Sequence, residues 1–230
     1  MLVGQLRGFM QKHKIERSSL QADVVTKLRE ELVDGVWRPG VRLQERLLCE
    51  RYGISRSPLR EAFQVLASEG LIDILLNRGV VVSNPTPALV LQNYVLLQTL
   101  EILALELACE NASDEQIARV GRANAAMKQA AVKGDMNSFF HDNNVVHRLI
   151  VEASGNAPLM EAHGIVSRQI IRMQNLSEPI ERPVRGAGTD HDGFIKALIA
   201  RDSVRALHAF KKHHKVVEGH VKRHLQAFTH

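Results

Sequence analysis

Residues 39–82 read PGVRLQERLLCERYGISRSPLREAFQVLASEGLIDILLNRGVVV. Apolar residues recur in this stretch at the spacing of helices, and a glycine, Gly53 or Gly70, follows each of the two helical patterns. We therefore predict a short helix over about 44–52 and a second helix that a serine caps and that ends at Glu69.

The end of the stretch has the pattern of a β-hairpin. Two apolar, β-branched runs, 71–75 and 80–82, flank a turn segment at 77–79 that contains Asn and Gly. Upstream, apolar residues at helical spacing predict a helix over about 19–36, and a Pro-Gly pair at 39–40 ends it. Three helices followed by a hairpin are the layout of a winged helix-turn-helix, whose third helix enters the major groove of DNA.

The polar residues of the stretch are of types that bind DNA. Arginine can bond bidentately to guanine or to phosphate, serine hydroxyls suit both, and glycine lets a wing backbone approach the minor groove. We predict DNA contacts from Arg46, Ser55, Arg56, Ser57, Arg60, Arg78 and Gly79. Glu61 is expected to orient Arg60 or its neighbours, because phosphate repels a carboxylate. Arginine-rich helices can also be solvated surface, and winged helices can serve as protein contacts.

The same stretch closely resembles the DNA-binding domain of GntR-type regulators. That family has a Pro-Gly turn, the run Gly-(Val/Ile)-Ser-Arg-(Ser/Thr)-Pro-(Val/Leu)-Arg-Glu-Ala, then Leu-x-x-(Glu/Asp)-Gly-Leu, and Arg-Gly in the wing. The matching residues here are Pro39, Gly40, Leu43, Leu47, Gly53, Ser55, Arg56, Pro58, Arg60, Glu61, Ala62, Leu66, Glu69, Gly70, Leu71, Arg78 and Gly79. The resemblance implies that Arg46, the first turn of the third helix and the wing contact DNA.

The remainder of the chain is predicted to be helical, so the expected fold class is mainly α. Proline occurs twice in the segment 84–87 and resists both helix and strand, so we expect a linker there. The predicted parts are a flexible arm at 1–17, a winged helix-turn-helix domain at 18–83 and an all-helical domain at 88–230. Helical patterns cover about 88–111, 114–132, 136–153, 158–177, 191–200 and 203–227, with a loop at 178–189.

Bulk composition is that of an ordinary globular protein. Apolar residues make up 45%, charged residues 24% and aromatic residues 4%, which favours helices over a sandwich or barrel. The net charge of +5 is too small to indicate nucleic acid by itself. Two distant cysteines argue against a disulfide framework, and the N-terminus has no signal-peptide pattern. Polar residues interrupt the apolar stretch 88–109, so we expect a soluble cytoplasmic protein and no membrane contact.

The first helix of the second half, about 88–111, is apolar nearly all round and is therefore expected to be buried, either in a bundle or between subunits. Gln98 and Glu101 are three residues apart on it and so share one side. A buried polar pair needs hydrogen-bond partners. The pair can therefore line a ligand pocket or belong to an internal hydrogen-bond network.

Four further polar residues form a more specific pattern. Asn143 and His147 are four residues apart on one helix and project the same way. His191 opens the helix after the Pro/Gly-rich loop, and His213 lies on the apolar stripe of the last helix. Three inward imidazoles from three helices can form an open metal site. Alternatively, each histidine is a separately satisfied buried or surface side chain.

Residues 88–227 resemble the FCD domain, the effector domain of the FadR subgroup of GntR regulators, which is an antiparallel bundle of six or seven helices. The shared marks are His147, a Ser-Gly-Asn at 154–156, His191, and a final His213 eleven residues after Asp202. In metal-binding members an Asp and three His hold a divalent ion, and a carboxylate effector completes the coordination. The resemblance implies a divalent metal such as zinc or nickel on the three histidines.

Two positions depart from that family pattern. The family's Asp is Asn143 here, a neutral amide and therefore a weak or lost ligand. The first helix often carries an Arg where Gln98 stands, so the effector is expected either to be less acidic or to be held by another cation. The predicted effector pocket consists of Gln98, Glu101, Arg148 and Arg172, with Arg168 as a further candidate cation.

Together these patterns predict a ligand-responsive, sequence-specific DNA-binding transcription regulator and not an enzyme. We expect a homodimer that reads a palindromic operator, represses a metabolic operon and is released or remodelled by a small carboxylate effector. The alternative is a metal-dependent enzyme that uses the histidine cluster, but the sequence has no HExxH, phosphate-binding loop or nucleophile elbow. A third interpretation, an architectural DNA-binding protein, leaves the large helical domain without a role.

Overall fold

The computed structural model describes residues 18–176 and 191–227, and the chain divides into two compact units, Met1–Asn84 and Pro85–His230. The predicted arm at 1–17 and the predicted loop at 178–189 lie outside the described residues. Each unit has its own hydrophobic core, so each can be described by itself.

The first unit combines helices with a small antiparallel sheet. Its elements are α1 (Ser18–Val33), β1 (Arg42–Leu43), α2 (Glu45–Tyr52), α3 (Arg56–Ser68), β2 (Ile72–Leu75) and β3 (Gly79–Val82). The predicted hairpin is formed by β2 and β3, and β1 pairs with the other side of β3 to give the order β1-β3-β2. The sequence did not predict β1, because a strand of two residues is too short to show a hydrophobic period.

The first helix is shorter than predicted. It ends at Val33 instead of about Val36, and Gly35 follows with a left-handed φ of 75°. The N–H of Val36 then bonds back to the carbonyl of Glu31 at 3.0 Å, which is a common way for a helix to end.

The core of the first unit forms between α1, α3 and the sheet. Leu28 and Leu59 have no exposed surface and Phe63 has almost none. The guanidinium of Arg29 on α1 also donates two hydrogen bonds, of 2.8 and 2.6 Å, to the carboxylate of Glu69 after α3. These contacts hold α3 by its apolar face and its C-terminal end.

The second unit consists of helices in its described part. They are α4 (Pro87–Asn111), α5 (Asp114–Lys133), α6 (Met136–Ala153), α7 (Ala157–Leu176), α8 (His191–Ile199) and α9 (Ser203–Ala227). Their ends lie within one residue of the predicted ones. One of these differences corrects the predicted linker, because Pro87 is the first residue of α4, where the missing N–H of proline costs nothing.

The central helix of the second unit is α4, which packs against α6, α7 and α9. Ala104, Leu105 and Ala108 have no exposed surface, and the polar residue Glu101 is buried with them. Among the residues that the structure describes, α4 alone is long and apolar enough to cross a membrane by length and composition. One face of α4 packs inside the bundle as predicted, whereas Leu96 and Leu103 on another face are exposed, so this helix is buried on one side only.

Candidate DNA-binding surface and histidine cluster

A tight turn connects α2 to α3. Gly53 ends α2 with a left-handed φ of 64°, a conformation that favours glycine. Ser55 is extended at the N-cap of α3, and Arg56 is the first helical residue. Leu48 and Leu59 are buried in the same core and so hold the two helices together. The first turn of α3 is therefore presented at the surface by a fixed backbone.

The residues predicted to contact DNA are all exposed. They are Arg46, Ser55, Arg56, Ser57, Arg60, Arg78 and Gly79. Arg46 pairs with Glu50 on its own helix, with 3.2 Å between Nη1 and Oε1. In the described part of the chain, Arg56 and Arg78 form no ion pair, so both guanidinium groups are available to a phosphate or a guanine.

Arg60 has a partner that the sequence did not predict. Its Nε donates to Glu45 Oε1 on α2 at 2.9 Å, and its second nitrogen donates to the other oxygen at 3.0 Å. Glu61 instead accepts a hydrogen bond of 3.2 Å from the Ser57 hydroxyl, so it orients a neighbour of Arg60 and not Arg60 itself. Because the pair of Arg60 and Glu45 is exposed, it contributes little to stability, and a phosphate can take the place of the carboxylate.

The wing turn brings a further arginine to this surface. Gly79 has a φ of 81°, and a Cβ built there would lie 3.1 Å from Nη2 of Arg42. The turn therefore favours glycine for its backbone conformation, and a larger residue would also displace the exposed guanidinium of Arg42 by a few tenths of an ångström. Arg42 is exposed on β1, and the sequence analysis missed it because the pairing of β1 with β3 has no local signal.

In the second unit, the structure brings the three predicted histidines together. His147 comes from α6, His191 from the start of α8 and His213 from α9, and all three are buried. One ring nitrogen of each lies within 4.8 Å of the others, a spacing that could hold a metal ion. Asn143 is half-buried one turn before His147 on α6.

The chemistry of this cluster fits a bound cation. His191 is 0% exposed, yet neither of its ring nitrogens has a hydrogen-bond partner among the described residues. Burial, together with His147 and His213, holds the pKa of His191 well below its ordinary value, and burial lowers the pKa of His213 to about 3. Both rings are therefore neutral, the form in which imidazole binds a metal. A buried polar atom without a partner is unfavourable, and an ion would satisfy it.

The buried carboxylate of Glu101 lies next to the ring of His147. Glu101 Oε2 lies 3.0 Å from His147 Nδ1 and 3.1 Å from His214 Nε2, and Oε1 lies 3.0 Å from His163 Nε2. Burial alone would raise the pKa of Glu101, but the charge of His147 and the hydrogen bonds of the three histidines hold it well below its ordinary value. Glu101, His147 and His214 form a second group with the spacing of metal ligands.

Two members of this network, His163 and His214, were missed in the sequence. His214 is about 100° around α9 from His213, yet both are buried because α9 packs against α4 and α8. The hydroxyl of Tyr94 also donates to the carbonyl of His214 at 3.1 Å. The available signal for His214 was its position directly after His213. Helical spacing, however, predicted that only His213 points inward.

The other residues of the predicted effector pocket differ in how deeply they are buried. Arg172 is almost fully buried on α7, and Gln98 is half-buried on α4. Arg148 does not belong to the pocket, because its side chain is exposed and donates to Glu152 at 3.0 Å along α6. The reason is its position one residue after His147, which turns it about 100° away from the cluster.

Comparisons with known proteins agree with both halves of the chain. Residues 20–82 match the gntR family of bacterial regulatory proteins, and residues 92–215 match the FCD domain. The "Probable D-xylose utilization operon transcriptional repressor" of Paenarthrobacter nicotinovorans is 26% identical over 87% of this chain and 88% of its own length. The "Gluconate operon transcriptional repressor" of Bacillus licheniformis is 26% identical over 90% of this chain and 87% of its own.

The fold also occurs among solved structures. The structure of Escherichia coli McbR/YncC has a TM-score of 0.74 at 23% identity and covers 89% of this chain and 98% of its own. A GntR transcriptional regulator from Rhodococcus sp. RHA1 has the same TM-score, identity and coverage. The predicted family, the mainly α fold and the assignment to regulators instead of enzymes are confirmed. The chain belongs to the gntR family of bacterial regulatory proteins, with an FCD domain as its second half, and is a ligand-responsive DNA-binding transcription regulator.

Proposed function

We propose that this regulator represses a metabolic operon by binding a palindromic operator as a homodimer, and that a small carboxylate effector lowers its affinity for that operator. The exposed first turn of α3 carries this proposal, because Arg56 is presented there without an ion-pair partner among the described residues. Two relatives named as repressors of a D-xylose utilization operon and of a gluconate operon support the direction of control. A small effector can act only through its different affinities for the two states of the protein.

We infer that DNA is contacted by Arg46, Ser55, Arg56, Ser57, Arg60, Arg78 and Gly79, with Arg42 added at the wing. Arg56 and Arg60 lie about one turn apart on α3, so both can enter one groove. Arg60 would exchange Glu45 for a phosphate or a base, and Arg46 would exchange Glu50 in the same way.

A homodimer is supported by the surface of α4 that the bundle leaves open. Leu89, Leu96 and Leu103 recur every seven residues on this helix and are 45%, 48% and 43% exposed. Apolar residues at that period form the contact seam between paired helices. The proposed occupant of this seam is the same helix of a second copy, since a two-fold dimer matches a palindromic operator.

We propose further that His147, His191 and His213 hold a divalent ion such as zinc or nickel, with Asn143 as a weak ligand or none. Such an ion would offer open coordination positions to an oxygen donor, the chemistry of a carboxylate effector. Gln98 and Arg172 would supply polar groups for the rest of the effector. The buried, unpartnered nitrogens of His191 support this part of the proposal.

DNA binding is tested with operator sequences selected from random duplexes by the full-length protein. We expect Arg56→Ala to abolish sequence-specific binding in fluorescence anisotropy while helical content by circular dichroism is unchanged. Arg148→Ala is the matched control, since Arg148 is an exposed arginine in the other unit. Unchanged specific binding by Arg56→Ala would contradict the assignment of α3.

The metal is tested by mass spectrometry of protein purified without chelator and without a histidine tag. About one ion per chain is expected from the three-histidine site, and it should be lost in His213→Ala. No ion after incubation with zinc or nickel would remove the metal from the proposal but leave DNA binding unaffected.

A further inference from the structure

The proposed metal site consists of three histidines, and none of its ligands is a carboxylate. Histidine rings supply no negative charge, and the residue one turn before His147 is Asn143, whose amide has no charge. A divalent ion held only by such groups would keep both of its positive charges in the buried interior. That is unfavourable unless a negative charge lies close by.

Among the residues that the structure describes, the carboxylate of Glu101 contacts this cluster. It is 4% exposed, and its Oε2 is 3.0 Å from Nδ1 of His147. A carboxylate accepts and cannot donate, so this contact places the proton of the His147 ring on Nδ1. In the neutral ring, the other nitrogen, Nε2, then carries the lone pair that a metal ligand needs.

The arrangement of hydrogen bonds separates the role of Glu101 from that of the three histidines. Its two oxygens are already hydrogen-bonded to His147 and His163, so a metal placed on Glu101 would have to break these contacts. The ring nitrogens of His191 have no partner to lose among the described residues. An ion is therefore favoured on the side of His191, with Glu101 one imidazole away from it.

We propose that Glu101 is a positioning residue that supplies the negative charge of the metal site through His147, in place of a carboxylate ligand at position 143. This inference rests on the proposed metal site. A carboxylate that accepts from the second nitrogen of a ligating histidine fixes the ring orientation and makes the other nitrogen a stronger donor. Two further contacts support this arrangement: His163 contacts Glu101, and Tyr94 donates to His214.

The first test compares the zinc affinity of the full-length protein with that of Glu101→Gln, by competition with a chromogenic chelator. Glutamine keeps the shape and an acceptor oxygen but removes the charge. We expect zinc affinity to fall roughly 10- to 100-fold, as for other residues that orient a metal ligand. Glu106→Gln is the matched control, because Glu106 is exposed five residues further along the same helix.

The second test restores the charge elsewhere. Asn143→Asp in the Glu101→Gln background should recover most of the lost affinity, and it should raise affinity less in the wild-type background. Such non-additivity is expected when two carboxylates serve one ion. A residue that only maintained the fold would give equal effects of Asn143→Asp in both backgrounds, which would overturn the proposal.

A third measurement needs no variant. Nitrogen chemical shifts of the metal-free wild-type protein should show a proton on Nδ1 of His147, and an Nδ1 without a proton would overturn the proposal even if Glu101→Gln failed to fold. Zinc binding by the wild type with unchanged affinity in Glu101→Gln would reject the role of Glu101 alone. Absence of zinc binding by the wild type would reject the metal site as well.

Discussion

At the scale of single residues, one buried carboxylate organises the polar side of the first unit. Glu31 on α1 is buried and accepts hydrogen bonds from the indole of Trp37, the guanidinium of Arg51 and the hydroxyl of Tyr52, at 2.8–2.9 Å. Burial and the Glu31 carboxylate also raise the pKa of Tyr52. Glu31 therefore joins α1 to the end of α2, next to the turn that presents α3.

Glu31→Ala should destabilise the first unit by about 2 kcal/mol, because three donors lose their acceptor and two of them are only partly solvated. Trp37 is the single tryptophan of the chain, so the urea midpoint of its fluorescence reports on this unit. Glu30→Ala is the control, since Glu30 is 60% exposed and has only a 3.9 Å contact with Lys27. Equal midpoints for the two variants would show that the hydrogen bonds of Glu31 contribute nothing.

The wing turn depends on one glycine. Gly79→Ala should weaken DNA binding and lower stability by about 1–2 kcal/mol, because alanine is strained at a φ of 81° and meets the Arg42 guanidinium. Anisotropy with the selected operator measures the first effect and the Trp37 midpoint the second. Gly121→Ala is the control, since it is helical and has open space at its Cβ. An unchanged operator affinity would remove the wing from the DNA contacts.

At the scale of elements, α5 fixes the start of α8. Asp192 accepts hydrogen bonds from Lys128 at 2.7 Å and from Asn124 at 3.1 Å, and these contacts, that of Lys128 most of all, lower the pKa of its carboxyl. Its sequence neighbour is His191, the only member of the three-histidine cluster at a helix end. The contact therefore holds the backbone that carries one proposed metal ligand.

Asp192→Ala should reduce zinc affinity about tenfold, because His191 loses the support of its backbone. The chelator competition used for Glu101 measures this effect. Asp114→Ala is the control, since Asp114 also lies in the first turn of a helix and pairs with an arginine, Arg201, but is far from any histidine of the cluster in the sequence. An affinity equal to that of the wild type would show that α8 is held without this contact.

At the scale of the whole molecule, the proposed dimer predicts that a substitution in its interface lowers the mass of the protein in solution to that of one chain. Leu96→Glu places a charge at the centre of the exposed leucine seam of α4, so it should convert the dimer into a monomer in sedimentation experiments and reduce operator affinity. Val132→Glu is the control, because Val132 is an 89% exposed apolar residue on α5. A dimer that persists in Leu96→Glu would place the interface elsewhere.

Local signals in the sequence predicted the three helices and the hairpin of the first unit and, except for the end of α1, the limits of the helices within about one residue. Gly53 and Gly70, both with positive φ, end α2 and precede the wing, and the turn residues of the hairpin act within a few positions of each other. Helical spacing likewise placed His147 and His213 on inner faces. These features depend on neighbours in the chain, so one sequence suffices to predict them.

Tertiary packing alone decided which of those faces meet. Glu101 contacts His147 and His163, which are 46 and 62 positions away in the chain, and Arg60 reaches Glu45 across the turn between helices. A helical period predicts which side of a helix is buried, but not which residues of other helices contact that side. A residue such as His214 can also be buried outside the apolar stripe of its helix when a second helix packs beside it. The charge that the proposed site needs is therefore supplied across the bundle, where spacing along the chain gives no signal.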